Sequence, residues 1–360
     1  MAFLLALMVT PTAQGQSTQR LAATKANDYG LTYSLPVTAL DITVEAETTV
    51  YEPGEFSIYA KKYLNIDNPV LTYSKTITLK SVVLTSSGIP NPDERYLITL
   101  KGGQSPYIVV TSEGLLMSVN TSQTAPKAEM ELPKAKAAGE SPLHSSIAHQ
   151  VVTEDMLMSH STAKRAQLAA EQIYEIRQNR SDILSGQADQ MPGDGQAMSI
   201  VLNNLNAREE ALMAMFIGDK TVSTEVKTIS IVPEGDITNQ VVCRLSAVNG
   251  IVGPDDLSGA PVTLDLNVTS YGELPVNEKG VRLPFPKGGI AYVIPGQAKA
   301  EVSFAGKIFA EKQMSFAQFG VVYGMAPSNF TDKKSPVYMI VEPATGAIVE
   351  VGPAGNSDSK

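Results

Sequence analysis

The chain has 360 residues, of which 43% are hydrophobic and 18% charged, and it carries a net charge of -9. That length accommodates two or three domains with cores of their own, and the balance of apolar and charged residues describes a globular rather than a disordered chain. The negative charge, with no Lys/Arg cluster to offset it, argues against a nucleic-acid partner, whose phosphates would be repelled.

Residues Phe3 to Val9 form a short apolar run, followed by Pro11 and the small-x-small sequence Ala13-Gln14-Gly15. The run is too short to span a bilayer and suits the apolar region of a secretory leader, so 1–15 is expected to be a signal peptide cleaved after Gly15. A buried N-terminal strand is the alternative. No Lys or Arg precedes the run, which leaves room for a start upstream of Met1. No Cys stands at the cleavage point, so no lipid anchor is expected. Nothing later in the chain approaches the length of a membrane helix, and the mature protein is expected to lack a transmembrane segment.

Residues 16 to 28 are polar and expected to be a flexible lead-in. The first β module is expected over 28–120. Leu31, Tyr33 and Leu35, then Leu40, Ile42 and Val44, alternate with polar neighbours, the period of strands with one face buried. After Pro53-Gly54, Phe56, Tyr59, Ala60, Tyr63 and Leu64 fall at helical spacing, so a short helix is expected there. Further strands are expected over Thr76 to Thr85 and Tyr96 to Leu100. A hairpin is expected from Tyr107 to Val119, turning near Ser112-Glu113-Gly114. From 121 to 150 the chain is rich in Ala, Lys, Pro, Glu and Ser. Such a segment buries too little to offset its ordering entropy and is expected to be a mobile linker.

The segment 151–218 is expected to hold a helical hairpin. Ala166, Ala169, Ile173, Ile176 and Ile183 recur at intervals of three, four and seven, and Met198, Val201, Leu202, Leu205, Leu212, Met215 and Phe216 repeat the device. The connector, Ser185 to Gly195, is short and polar, which predicts antiparallel helices. A second β module is expected over 221–352, with strands at Val222–Val232, Asn239–Ala247, Val262–Thr269, Ile290–Ile294, Lys299–Phe304, Phe316–Tyr323 and Val337–Val341. A closing hairpin through Pro343-Ala344-Thr345-Gly346 leads into a tail disordered over 353–360. The fold class expected is therefore α+β and β-rich, with two sandwich-like antiparallel β modules flanking a long antiparallel helical hairpin.

Two stretches echo each other. Tyr33-Ser34-Leu35-Pro36 is similar to Tyr292-Val293-Ile294-Pro295, and Ser105-Pro106-Tyr107 is similar to Ser335-Pro336-Val337, in the same order in each half. Chance is the competing explanation, because Pro at strand ends is common.

No Gly-x-Ser-x-Gly, His-Glu-x-x-His, phosphate-binding loop or Gly-x-Gly-x-x-Gly sequence is found. The three histidines, His144, His149 and His160, fall in or after the linker, where a zinc site would require a flexible segment to converge; solvated histidines are expected, with His160 in a capping sequence. Asp182, Asp189 and Asp194 lack the spacing of a calcium loop, and Asp194 suits a helix cap. Asp255-Asp256 and Glu209-Glu210 are expected to be solvated pairs. Cys243, the lone cysteine, alternates with its neighbours as a strand residue facing inward and is expected to be inert. Trp is absent, and Tyr59 and Tyr63 are expected to pack rather than to stack on a sugar. Hence no catalytic, cofactor or metal residues are assigned.

The stretch Tyr29 to Leu40, the Pro53 to Leu64 segment, Ala169 to Arg177, Gln318-Phe319-Gly320 and Pro343-Ala344-Thr345-Gly346-Ala347 together resemble an exported Bacteroidetes family known only as a domain of unknown function. The resemblance covers 28 to 351. It implies a cell-envelope location, periplasmic or associated with the outer membrane, and carries no catalytic residue. The function expected is a non-catalytic interaction or scaffold protein whose partner is an envelope protein or glycan. A carbohydrate- or peptidoglycan-binding protein and an envelope hydrolase are the alternatives. The first predicts a row of exposed Tyr on one sheet face, and the second predicts ionisable residues meeting in a deep pocket.

Overall fold

The computed structural model describes residues 18–20, 30–99, 106–126, 131–188, 190, 191, 193, 195–332 and 335–354. The expected signal peptide at 1–15 and the tail from 355 onward lie outside these residues, but the start of the tail expected to be disordered over 353–360 is paired: Pro353 ends the last strand and the Ala354 N–H donates to the Pro336 carbonyl (2.7 Å). In chain order the strands β1 (Thr18–Arg20) and β2 (Gly30–Glu52) precede a 3-10 turn at Ser57–Tyr59 and helix α1 (Ala60–Leu64). Then come β3 (Ser74–Thr99), β4 (Ile108–Val110) and β5 (Leu116–Val119), and helices α2 (Ser146–Gln150), α3 (Glu154–Met158), α4 (Thr162–Ser185) and α5 (Gln196–Ile217). The rest is β6 (Asp219–Ile231), β7 (Ile237–Ser246), β8 (Gly250–Val252), β9 (Ala260–Ser270), β10 (Ile290–Phe304), β11 (Lys307–Met325), α6 (Pro327–Thr331), β12 (Val337–Val341) and β13 (Ile348–Pro353).

The protein is β-rich, and its named strands pair antiparallel in three sheets. The first has the order β1-β3-β2-β6, the second β11-β10-β9-β7-β8 and the third β13-β12-β5-β4. Two of the three draw strands from both sides of the helices: β6 pairs with β2, and β12 pairs with β5. The boundaries 28–120 and 221–352 therefore do not coincide with sheets.

The two alternating runs expected at Leu31–Leu35 and Leu40–Val44 form one strand of 23 residues. Likewise the runs at 76–85 and 96–99 belong to one strand of 26 residues. The intervening Ser86-Ser87-Gly88-Ile89-Pro90-Asn91 is poor strand material, yet Ser86 pairs with Leu40 and Arg95 with Ser34. A register shift opposite Leu35 absorbs residues 91–94. Cross-strand pairing overrides local propensity here, as it does at many bulges. The β10–β11 hairpin does the same at the other echoed stretch: Ile294 pairs with Val321 and Gly296 with Phe316, leaving 317–320 opposite Pro295.

These irregularities let each long strand serve two cores. Leu40, Ile42 and Val44 of β2, with Leu84 of β3, pack against Val262, Leu264, Val302 and Phe316 of the second sheet. On the other side of Pro36, Tyr33, Leu35 and Tyr96 pack with Leu116, Val119, Met339, Ile290 and Val293. Between the two cores sits fully buried Thr38. Its hydroxyl donates to the Ala344 carbonyl (2.7 Å) and accepts from the Ala317 N–H (3.0 Å). The Thr38 N–H donates to Gln318 Oε1 (3.0 Å), and Gln318 Nε2 donates back to the Thr38 carbonyl (2.9 Å) and to that of Pro233 (3.0 Å). Gly88 is needed at the same joint, because a Cβ there would stand 2.2 Å from the Pro343 carbonyl oxygen.

The helices form a third core. Ala166, Ala169, Ala170, Ile173 and Ile176 of α4 meet Ala211, Leu212 and Phe216 of α5, with Phe56, Ala148, Val151 and Met156 around them. Along the pair, Arg177 reaches Glu209 and Met213 while Arg180 reaches Asn206 and Glu209. The α5 end is seated on the turn after β2, where the Phe56 N–H donates to the Met215 carbonyl (2.7 Å) and the Phe56 and Phe216 rings lie 5.4 Å apart. The apolar stripe expected along both helices is buried only at this seated end. Ile183, Met198, Val201 and Leu202 are half-exposed, and Ile200 is 62% exposed, because the covering residues stand at the Phe56 end.

Two further expectations of disorder are corrected. The lead-in contributes β1, where Thr18, Gln19 and Arg20 pair with Ile98, Leu97 and Tyr96. In the expected linker, Lys136 and Thr224 exchange backbone hydrogen bonds (3.0 and 2.8 Å), Ala125 and Ala148 are buried, and α2 begins under a Ser145 cap. Backbone pairing along the free side of β6 orders a segment whose composition offers little to a core.

Candidate functional site

One end of the third sheet forms an open cleft of about 520 Å³, lined by Tyr107, Asn120, Thr121, Ser122, Gln123, Tyr338 and Ala354. Its frame is backbone. Tyr107 and Asn120 stand just outside β4 and β5, and the Asn120 N–H donates to the Tyr107 carbonyl (2.6 Å). Asn120 adopts a φ of 58°, a conformation that Asn tolerates better than most residues. In that pose its whole side chain is used: Oδ1 accepts from the Tyr107 N–H (3.2 Å), and Nδ2 donates to the carbonyls of Phe330 (2.8 Å) and Val337 (3.0 Å). Thr121 caps the next turn by accepting from the Gln123 N–H (3.1 Å), while the buried Ser118 hydroxyl donates to the Thr121 carbonyl (2.7 Å).

Tyr107 is 59% exposed on one side of the cleft. Tyr338 stands on the other. Its ring lies on Gly352, where a Cβ would come within 2.8 Å of it, and its hydroxyl donates to Glu350, which holds the Tyr338 phenol above its ordinary range. None of the seven lining residues is charged.

A second feature is the excursion between β9 and β10. Asn277 Oδ1 accepts from the N–H groups of Lys279 and Val281 (2.9 Å each), and the Leu283 N–H donates to the Pro275 carbonyl (2.8 Å). Held in this way, Val276 and Val281 are 57 and 58% exposed, while Tyr271, edge-on to Phe319 at 6.3 Å, is 68% exposed. Phe285 anchors the base edge-on to Tyr323, with centroids 6.4 Å apart. Beneath it a hollow of about 340 Å³ is lined by Arg20, Tyr96, Phe285, Pro286, Lys287 and Gly288. Arg20 there is committed to the Asp93 carbonyl and to Glu94 (2.7 Å).

The family model described as Domain of unknown function (DUF4831) matches residues 29–349, a range that includes the joint at Thr38, the cleft up to Tyr338 and the excursion. The chain belongs to this family. No curated protein and no solved structure matches it.

The reactive side chains of this DUF4831 chain are dispersed. Cys243 is 1% exposed within the first core, and burial pushes its thiol up to about 11. His144 contacts both carboxylate oxygens of Glu52 (3.0 and 2.9 Å), while His149 and His160 are exposed elsewhere. The α4 cap is Ser161, which accepts from the Lys164 N–H (3.4 Å). Asp189 and Asp194 lie outside the described residues; the α5 cap position is Gly195, and Asp182 accepts from Gln178 (2.8 Å). Among the described residues no group of His, Cys, Asp and Glu has the arrangement of a metal site.

Glu209 differs from the solvated carboxylate expected. Arg177 (2.6 Å) and Arg180 (2.5 Å) both hold it, and although burial alone would raise its pKa, their hydrogen bonds lower it. Glu45 is lowered in the same sense by hydrogen bonds from Ser81 (2.6 Å) and Lys80 (3.0 Å). Asp256 is lowered by Ser258. Tyr63 donates to the Ala163 carbonyl (3.1 Å), and its ring lies 6.2 Å from that of Tyr59, so both pack as expected. The exposed tyrosines are scattered rather than in one row: Tyr73, Tyr107 and Tyr271 lie just outside β3, β4 and β9, and Tyr174 lies on α4. Sequence reasoning missed the cleft residues, although the echoed Ser-Pro pairs at 105–106 and 335–336 mark the two strands that bring in Tyr107 and Tyr338.

Proposed function

We propose that this DUF4831 protein is a non-catalytic interaction protein of the cell envelope. The observation that carries the reading is the excursion between Ser270 and Ile290, which spends internal hydrogen bonds at 275–283 to hold Val276 and Val281 in water. A loop built to display apolar side chains gains from a partner that covers them. Export is supported by the apolar run Phe3 to Val9 and the Ala13-Gln14-Gly15 that follows it. Among the described residues no helix is long and apolar enough to cross a membrane. A hydrolase reading is disfavoured because Glu45, Glu209 and Asp256, the carboxylates with displaced pKa values, each serve a separate hydrogen-bonded pair or turn.

The test is affinity capture of the tagged protein from its own envelope fraction, alongside a Val276→Glu/Val281→Glu variant. Both valines are exposed, so the variant keeps its stability within about 0.5 kcal/mol. A protein recovered with the wild type and lost with the variant supports the reading. Equal recovery, or none with either, overturns it.

A further inference from the structure

We propose that the cleft between Tyr107 and Tyr338 binds a neutral, polyhydroxylated ligand: the end of a glycan chain or a short oligosaccharide. This rests on the non-catalytic reading above and names one ligand class for it. Sugar rings present apolar C–H faces and a rim of hydroxyls that both donate and accept. The lining of the cleft answers both demands, with the aromatic rings of Tyr107 and Tyr338 and the hydroxyl and carboxamide groups of Thr121, Ser122 and Gln123.

Charge narrows the class. Among the described lining residues there is no ammonium or guanidinium, so a phosphate or carboxylate set against them would leave water without a charged partner. Glu350, the carboxylate beside Tyr338, already accepts that tyrosine's hydroxyl and is not among the lining residues. A peptide strand would be read by backbone pairing at a sheet edge. Asn120, just past β5, and Tyr338, within β12, instead lie at the two inner strands of the third sheet, and only Tyr107 and Ala354 adjoin its edge strands β4 and β13.

The cleft is also set before any ligand arrives. Asn120 ties three segments together with all its side-chain hydrogen-bonding atoms, and Tyr338 is fixed between Gly352 and Glu350, so little ordering remains to be lost on binding. Its volume of about 520 Å³ falls within the roughly 300–1,000 Å³ usual for small-ligand sites.

The experiment is saturation-transfer NMR on the full chain with malto-, cello-, manno- and chito-tetraose as probes. The expected result is transfer to the ring protons of at least one tetraose, with an affinity that falls about tenfold in Tyr107→Ala, the scale of one lost stacking contact. Tyr107→Phe, which keeps the ring, retains most of that affinity. Gln123→Ala, an exposed substitution outside every core, weakens binding without a change in melting temperature and tests the site even if Tyr107→Ala is unstable. No transfer to any probe, or transfer unchanged in both alanine variants, overturns the assignment. Shorter sugars accumulating in the same tubes, with transfer still dependent on Tyr107, would uphold the site and overturn only the non-catalytic reading.

Discussion

Gln318 pairs with Thr38 as a neighbouring strand would: its carboxamide accepts from the Thr38 N–H and donates to the Thr38 carbonyl, at 3.0 and 2.9 Å. One side chain thereby completes the backbone bonding of β2 at the bend between two cores. The Thr38 hydroxyl adds Ala344 and Ala317 to the same joint. Three stretches that carry the family resemblance, around Thr38, Gln318 and Ala344, thus meet at one structural contact.

Replacing Thr38 by Val keeps the volume and removes the hydroxyl. The Ala317 N–H and the Ala344 carbonyl then lose this partner in a buried setting, each at a cost of about 1–3 kcal/mol. Urea unfolding of Thr38→Val is expected to give a lower midpoint with an unchanged slope, and Thr38→Ser, which keeps the hydroxyl, to recover part of the loss.

Ile173 is fully buried in the helical core, so Ile173→Asp places an unpaired charge against apolar neighbours. A loss of about 4 kcal/mol is expected, enough to lower the melting temperature sharply. Ile200 on α5 is largely exposed, and Ile200→Asp is expected to stay within about 0.5 kcal/mol of the wild type. Thermal unfolding of the two variants side by side separates the seated end of the helices from the open one.

Glu209 has a carboxyl pKa below its ordinary value, so the pairs with Arg177 and Arg180 stabilise the fold above the unfolded-state carboxyl pKa of about 4.3. That contribution is lost as pH falls through the lowered folded value. Glu209→Gln is therefore expected to be less stable than the wild type at neutral pH, and the gap to close in acid. Urea midpoints of the two proteins across the acidic range provide the measurement.

Burial and the raised pKa of about 11 make the Cys243 thiol unreactive in the folded protein. Alkylation at pH 8 is expected to be more than about a hundredfold slower in native protein than in guanidinium, where the thiol regains a pKa near 8.5. Mass spectrometry of iodoacetamide-treated samples reads the difference.

Much of the fold was legible where a residue's neighbours in sequence decide its fate. The inward face of Cys243, the alternation through Leu40 to Val44 and the stripe from Ala166 to Ile176 follow from period alone. What escaped was contact across long separations. Nothing near Ser86 to Arg95 announces that β2 will hold those residues in a strand, and nothing near Val222 announces a place beside Thr49. The cleft was illegible for the same reason, since Asn120 acquires its role only when Phe330 and Val337 supply carbonyls to its amide.

The pairing of β6 with β2 and of β12 with β5 carries a consequence for the order of events during biosynthesis. A chain emerging amino-end first holds β2 and β3 ready long before residue 219 is available to flank them, and β5 waits for residue 337. The second sheet, drawn entirely from residues 237–325, is free of that delay. It can serve as the template on which the earlier strands settle, and a nascent chain cut short between residues 325 and 337 would hold that sheet complete while β5, still without β12, kept an edge open to other molecules.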